Sequence, residues 1–113
     1  MYATISADIV SSTSLSLEST IELKLKIEQL FKLLEDKYPK FWGRQIKGDY
    51  IECLIPNVSD SFRIALIIKS YIKSLSLPEV KINKDFQTYG VRISIGIGGM
   101  RIVDINAGIL DGE

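Results

Sequence analysis

Histidine is absent from this chain. That removes histidine-based triads, histidine general bases and histidine-ligated zinc, and leaves carboxylates, hydroxyls, lysines and arginines for any chemistry. Cysteine occurs once, at Cys53, so no disulfide can close within the chain and a reducing compartment suits it. Neither sign of charge is in excess. Fourteen Lys plus Arg offset fourteen Asp plus Glu, which argues against a protein that grips DNA or RNA through a global positive charge. No apolar run approaches the ~20 residues that cross a bilayer, and the first residues lack the basic and apolar regions of a signal peptide. The expectation is a cytoplasmic protein with neither a nucleic-acid nor a membrane partner.

What is present is an ordinary globular composition, 46% hydrophobic and 25% charged over 113 residues, which suits one domain spanning 1–113. Alternation from Tyr2 to Val10 predicts a strand with Asp8 at its C-terminal end, followed by the Ser/Thr cluster Ser11 to Ser16. Ile21, Leu23, Ile27, Leu30, Phe31, Leu34 and Tyr38 recur near a 3.6 period and predict a helix from Ser19 to Lys37, with Ser19 and Glu22 as a capping box and Pro39 beyond its end. Phe41 to Ile46 and Tyr50 to Ile55 read as strands joined by Lys47-Gly48-Asp49, a hairpin link, with Pro56 stopping the second.

A second helix capped by Asn57 or Ser59 runs through Phe62, Ala65, Ile68, Ile72 and Leu75; it is apolar nearly all round, which predicts deep burial on a sheet. Leu77 to Thr88 reads as a loop, Tyr89 to Ile97 as a strand and Met100 to Asp104 as a further short strand. The order β-α-β-β-α-β predicts an α+β fold, the ferredoxin-like split β-α-β, with an antiparallel sheet and both helices on one face.

Two carboxylates fall at equivalent places, Asp8 at a strand end and Asp49 at the hairpin tip, and this fold sets the first strand beside that hairpin. With the Ile9 carbonyl they form a hard-oxygen set suited to Mg²⁺ or Mn²⁺. The same residues also serve plainer ends, Asp8 capping the Ser/Thr turn and Asp49 favouring a hairpin tip. Ser11, Ser12 and Thr13 offer hydroxyls and backbone N–H groups to phosphate, and Lys47 adjoins Asp49. Capping accounts for the serines equally well.

Tyr2-Ala3-Thr4-Ile5-Ser6-Ala7-Asp8-Ile9-Val10-Ser11-Ser12-Thr13-Ser14-Leu15 resembles the opening of the class III nucleotidyl (adenylate/guanylate) cyclase catalytic domain. Lys47-Gly48-Asp49-Tyr50 looks like that family's Gly-Asp hairpin, and Val91-Arg92-Ile93-Ser94-Ile95-Gly96-Ile97-Gly98 is similar to its Arg-Ile-Gly-Ile-x-x-Gly strand. The SatD-type family of small bacterial proteins has a comparable start and hairpin.

The resemblance implies a homodimer that converts a nucleoside triphosphate to a cyclic nucleotide and pyrophosphate. Asp8, Asp49 and the Ile9 carbonyl would hold two metal ions. The residue four before the hairpin aspartate reads the base in such cyclases as Lys or Glu; here it is Gln45, which matches neither. The family's catalytic Asn and Arg would lie beyond Glu113, so the chain is expected to be the N-terminal part of a longer cyclase-like domain and inactive alone. A non-catalytic nucleotide- or partner-binding regulatory domain of the same fold is the alternative.

Overall fold

The structure, a computed structural model, describes residues 1–10, 16–47, 49–75, 89–98, 100–104 and 109–112. Strand β1 (Tyr2–Val10) leads to helix α1 (Leu17–Lys37), the hairpin β2 (Trp42–Ile46) and β3 (Tyr50–Ile55), helix α2 (Ser61–Lys73) and strand β4 (Gly90–Gly98). These strands form one antiparallel sheet in the order β2-β3-β1-β4, the ferredoxin-like order expected from the sequence. β5 (Met100–Asp104), foreseen as a strand, pairs with β6 (Ile109–Gly112), which was not foreseen, in a separate two-stranded sheet. Among the described residues no helix is long and apolar enough to cross a membrane.

The period of two along β1 divides the sheet into unlike faces. Ala3, Ile5, Ala7 and Ile9 are buried, and the ladder sets the first three opposite Ile55, Cys53 and Ile51 on β3. Leu23, Ile27, Leu30, Phe31 and Leu34 of α1 and Ile64, Ala65, Ile68 and Ile72 of α2 close over that face as one core. Each fully buried isoleucine or leucine contributes roughly 1.5–3 kcal/mol through the apolar area it removes from water. Gly43 lets α1 approach β2: a Cβ there would stand 3.1 Å from the rings of Phe31 and Phe41.

Helix α1 begins earlier than the sequence reading placed it. Ser16, not Ser19, is the N-cap; its hydroxyl oxygen accepts the Ser19 N–H at 3.1 Å, and Ser19 is itself buried in the first turn. Several hydroxyls precede this helix, and the one three residues ahead of a free amide takes the cap. At its other end Tyr38 is extended, since a residue before proline is driven out of the helical region. Asn57 caps a short 3₁₀ turn, Val58–Asp60, so α2 starts at Ser61, later than either predicted cap implied. As expected, much of α2 is buried, along Ile64, Ala65, Ile68 and Ile72, whereas Phe62, read as part of that run, and Leu66 are exposed.

Candidate functional site

The second face of the sheet carries the polar side chains. Asp8 on β1 lies opposite Tyr50 on β3 and Arg92 on β4, and Tyr50 in turn lies opposite Ile46 on β2. One step along, Ser6 pairs with Glu52 and Ser94, and Arg44 of β2 ion-pairs with Glu52 at 2.7 Å. Opposed residues in an antiparallel ladder point to one face, so these rows share the face that the helices leave uncovered. Ser6, Asp8, Tyr50, Arg92, Ile93 and Ser94 line a depression of about 200 Å³ there.

Asp49 comes to this end of the sheet because the β1–β3 ladder runs one step beyond β3. The Ile9 N–H donates to the Asp49 carbonyl at 2.8 Å, which fixes the hairpin tip beside the residue that follows Asp8. Within a strand residue the N–H and C=O leave on the same side, so the Ile9 carbonyl also faces the hairpin. Among the described residues, no N–H of the turn takes that carbonyl in return. Asp8 and Asp49 are both exposed, and Lys47 at the tip is exposed with φ 57°, a left-handed conformation that a hairpin turn imposes on it. The structure therefore brings Asp8, Ile9, Asp49 and Lys47 to one end of the sheet. Ser11, Ser12 and Thr13 lie outside the described residues.

Gln45 is placed elsewhere. It lies opposite Ile51, a core residue, on the helix-covered face, and its Nε2 donates to the Lys24 carbonyl of α1 at 3.1 Å. Its Oε1 is buried with no hydrogen-bond partner among the described residues. The amide thus ties β2 to α1, on the face opposite Asp8.

The exposed carboxylates of Asp8 and Asp49 and the Ile9 carbonyl at this end of the sheet are hard oxygen donors, the chemistry Mg²⁺ or Mn²⁺ takes while water and phosphate complete its shell; Asp49 stands opposite Ile9, one ladder step from the Asp8–Tyr50 pair. Among the described residues no group of three or more His, Cys, Asp and Glu side chains forms a richer cage.

Arg92 is the residue that sequence reasoning passed over as a site residue. It is exposed, makes no ion pair among the described residues, and lies directly opposite Asp8. Its signal was its position out of phase with Val91, Ile93 and Ile95, which puts it on the other face of β4. A larger depression, about 560 Å³, lies at the far end of β3, between Tyr38, Pro39, Phe41, Ile55 and Pro56, and contains none of the candidate residues.

A scan against protein-family models found no matching family, and a search of curated proteins found no match.

Proposed function

We propose that the Asp8 end of the uncovered sheet face binds a nucleoside triphosphate together with Mg²⁺ or Mn²⁺, as in a nucleotidyl-cyclase-like domain. One observation carries the reading: the 2.8 Å bond from the Ile9 N–H to the Asp49 carbonyl, which holds Asp49 one ladder step from Asp8, the residue opposite Arg92. The carboxylates of Asp8 and Asp49, with the Ile9 carbonyl, would hold the cation. Bound there, it would offset the triphosphate's charge and favour departure of pyrophosphate. Arg92 offers a planar guanidinium to phosphate oxygens, the pairing for which its geometry is suited. Tyr50, beside Asp8 in the same row, supplies a ring face.

The proposed reaction is intramolecular. The ribose 3′-oxygen bonds to the α-phosphorus and gives up its proton to solvent, the bond between that phosphorus and the α,β-bridging oxygen breaks, and pyrophosphate leaves with that bond's electron pair. Residues completing the chemistry, and a second copy forming the homodimer that the resemblance implies, belong to the same proposal.

A second reading, a nucleotide-binding regulatory domain without turnover, is favoured by Gln45, whose amide is engaged with α1 instead of facing the Asp8 side. Calorimetric titration of common nucleoside triphosphates, with and without Mn²⁺, tests the binding. We expect metal-dependent binding that Asp8→Asn and Asp49→Asn each abolish. Binding that ignores both the metal and the two substitutions overturns the site. Metal-dependent binding with no cyclic product from any triphosphate selects the regulatory reading.

A further inference from the structure

Strand β4 is an edge of the sheet, paired on one side with β1 and, among the described residues, with no strand on the other. Edge strands are commonly protected by proline, by inward-pointing charge or by a bulge, because their free N–H and C=O groups template another strand. β4, Gly-Val-Arg-Ile-Ser-Ile-Gly-Ile-Gly, has no proline, and its one charge, Arg92, points to the uncovered face. Its helix-side residues lose cover along the strand: Val91 and Ile93 pack against the core, whereas Ile95 is 37% and Ile97 59% exposed.

Helix α2 adds to this apolar edge. Its core stripe is Ile64, Ala65, Ile68 and Ile72, and Ile67 and Tyr71 pack on one flank of that stripe. With the right-handed crossover that such folds use, that flank turns toward α1 and the opposite one overhangs the β4 edge. The overhanging flank carries Phe62, 67% exposed, and Leu66, 48% exposed. α2 starts after β3 and runs back along β4, so Phe62 stands at the Ile97 end. Large side chains exposed together on one edge are the kind of patch that marks a contact surface.

Charge distinguishes the occupants. α2 holds Arg63, Lys69 and Lys73, β4 holds Arg92, and neither element contains an acidic residue, in a chain whose overall charge is zero. A second copy docked edge to edge across a two-fold axis would bring like charges together. We propose that the β4 edge docks an extended segment of a partner protein in which acidic and apolar residues alternate, added as a further antiparallel strand. The backbone of β4 supplies the ladder. Alternate apolar side chains of the segment meet Ile95, Ile97 and Phe62, the acidic ones project on the other face, and the cations of α2 attract the segment as a whole.

The probe is a synthetic fluorescent peptide alternating Glu and Val, with a Lys-Val peptide as control, titrated against the intact chain and followed by anisotropy. Saturable binding of the Glu-Val peptide, weakened by salt, is expected, with no binding of the Lys-Val peptide. Ile97→Lys lowers the affinity by about tenfold, the loss typical of an interface anchor. Ile97→Thr, which keeps strand propensity, and the pair Lys69→Glu with Lys73→Glu each weaken it less, and circular dichroism confirms that every variant is folded. Absent binding, equal binding of both peptides, or indifference to all of these substitutions overturns the proposal. So does a dimer in sedimentation that Ile97→Lys dissolves, because it assigns the edge to a second copy.

Discussion

On β1, the side chains of Ala3, Ile5 and Ala7 are sealed from solvent, whereas Thr4, Ser6 and Asp8, each one residue away, stand on the face that no helix among the described residues covers. The same contrast crosses the sheet: Ile51, Cys53 and Ile55 of β3 join the core, while Tyr50 and Glu52 lie beside Ser6 and Asp8. One face is fixed by apolar burial and is sensitive to volume. The other is bounded by hydrogen-bonded backbone and is free to vary in chemistry. Alternation separates an apolar, covered face from a polar, open one within single strands.

The sharpest way to break that contrast is to exchange one residue on each face. Ile51→Ala removes a fully buried side chain from the centre of the core and should cost about 3 kcal/mol in urea unfolding. Asp8→Asn, on an exposed carboxylate, should cost no more than about 0.5 kcal/mol while abolishing metal-dependent nucleotide binding. Comparable losses from the two would refute the division of roles.

A smaller effect sharpens the covered side. Gly43→Ala places a methyl group 3.1 Å from the Phe31 and Phe41 rings, and overpacking of that kind should destabilise by about 1 kcal/mol or more. Phe31→Leu in the same chain should recover part of the loss, and a double-mutant cycle by equilibrium unfolding measures the coupling.

The smallest effect near neutral pH concerns Cys53. Burial pushes its thiol from an ordinary 9.0 up to about 12, with the nearby Glu52 charge adding to the shift. The native thiol stays protonated where the unfolded one ionises. Its contribution to stability is therefore complete below about 9 and is lost as pH rises from there toward 12. Denaturant midpoints measured across that window should fall more steeply for the native chain than for Cys53→Ala, and a thiol reagent should label the folded protein only as it opens.

Much of this architecture was legible in the sequence because it depends on local periodicity. The alternation of Ala3, Ile5, Ala7 and Ile9 and the apolar stripe from Leu23 to Leu34 identified β1 and α1, and Lys47-Gly48-Asp49 identified the hairpin. The helix starts were less legible, since Ser16 and Ser19, or Asn57 and Ser59, are chemically similar caps and only backbone geometry chooses between them. Of the candidate site, the shared location of Asp8 and Asp49 followed from strand order. The placement of Gln45 against Lys24 and of Arg92 against Asp8 did not, because cross-strand register and the side taken by a strand are set by partners far along the chain. Much of α2 is buried, as its apolar composition implied, but the same composition could not say which residues stay out: Phe62, read as part of the buried run, and Leu66 are exposed.

The central position of β1 has a consequence for how the protein is made. This strand is made before both of its neighbours, residues 50–55 on one side and 90–98 on the other. One edge of it can pair once residue 55 is made, and the other must wait for residue 98. Pairings this distant make folding slow and leave an interval in which one edge of β1 is open to aggregation, so a chaperone that holds β1 until β4 is made would raise the yield of native protein.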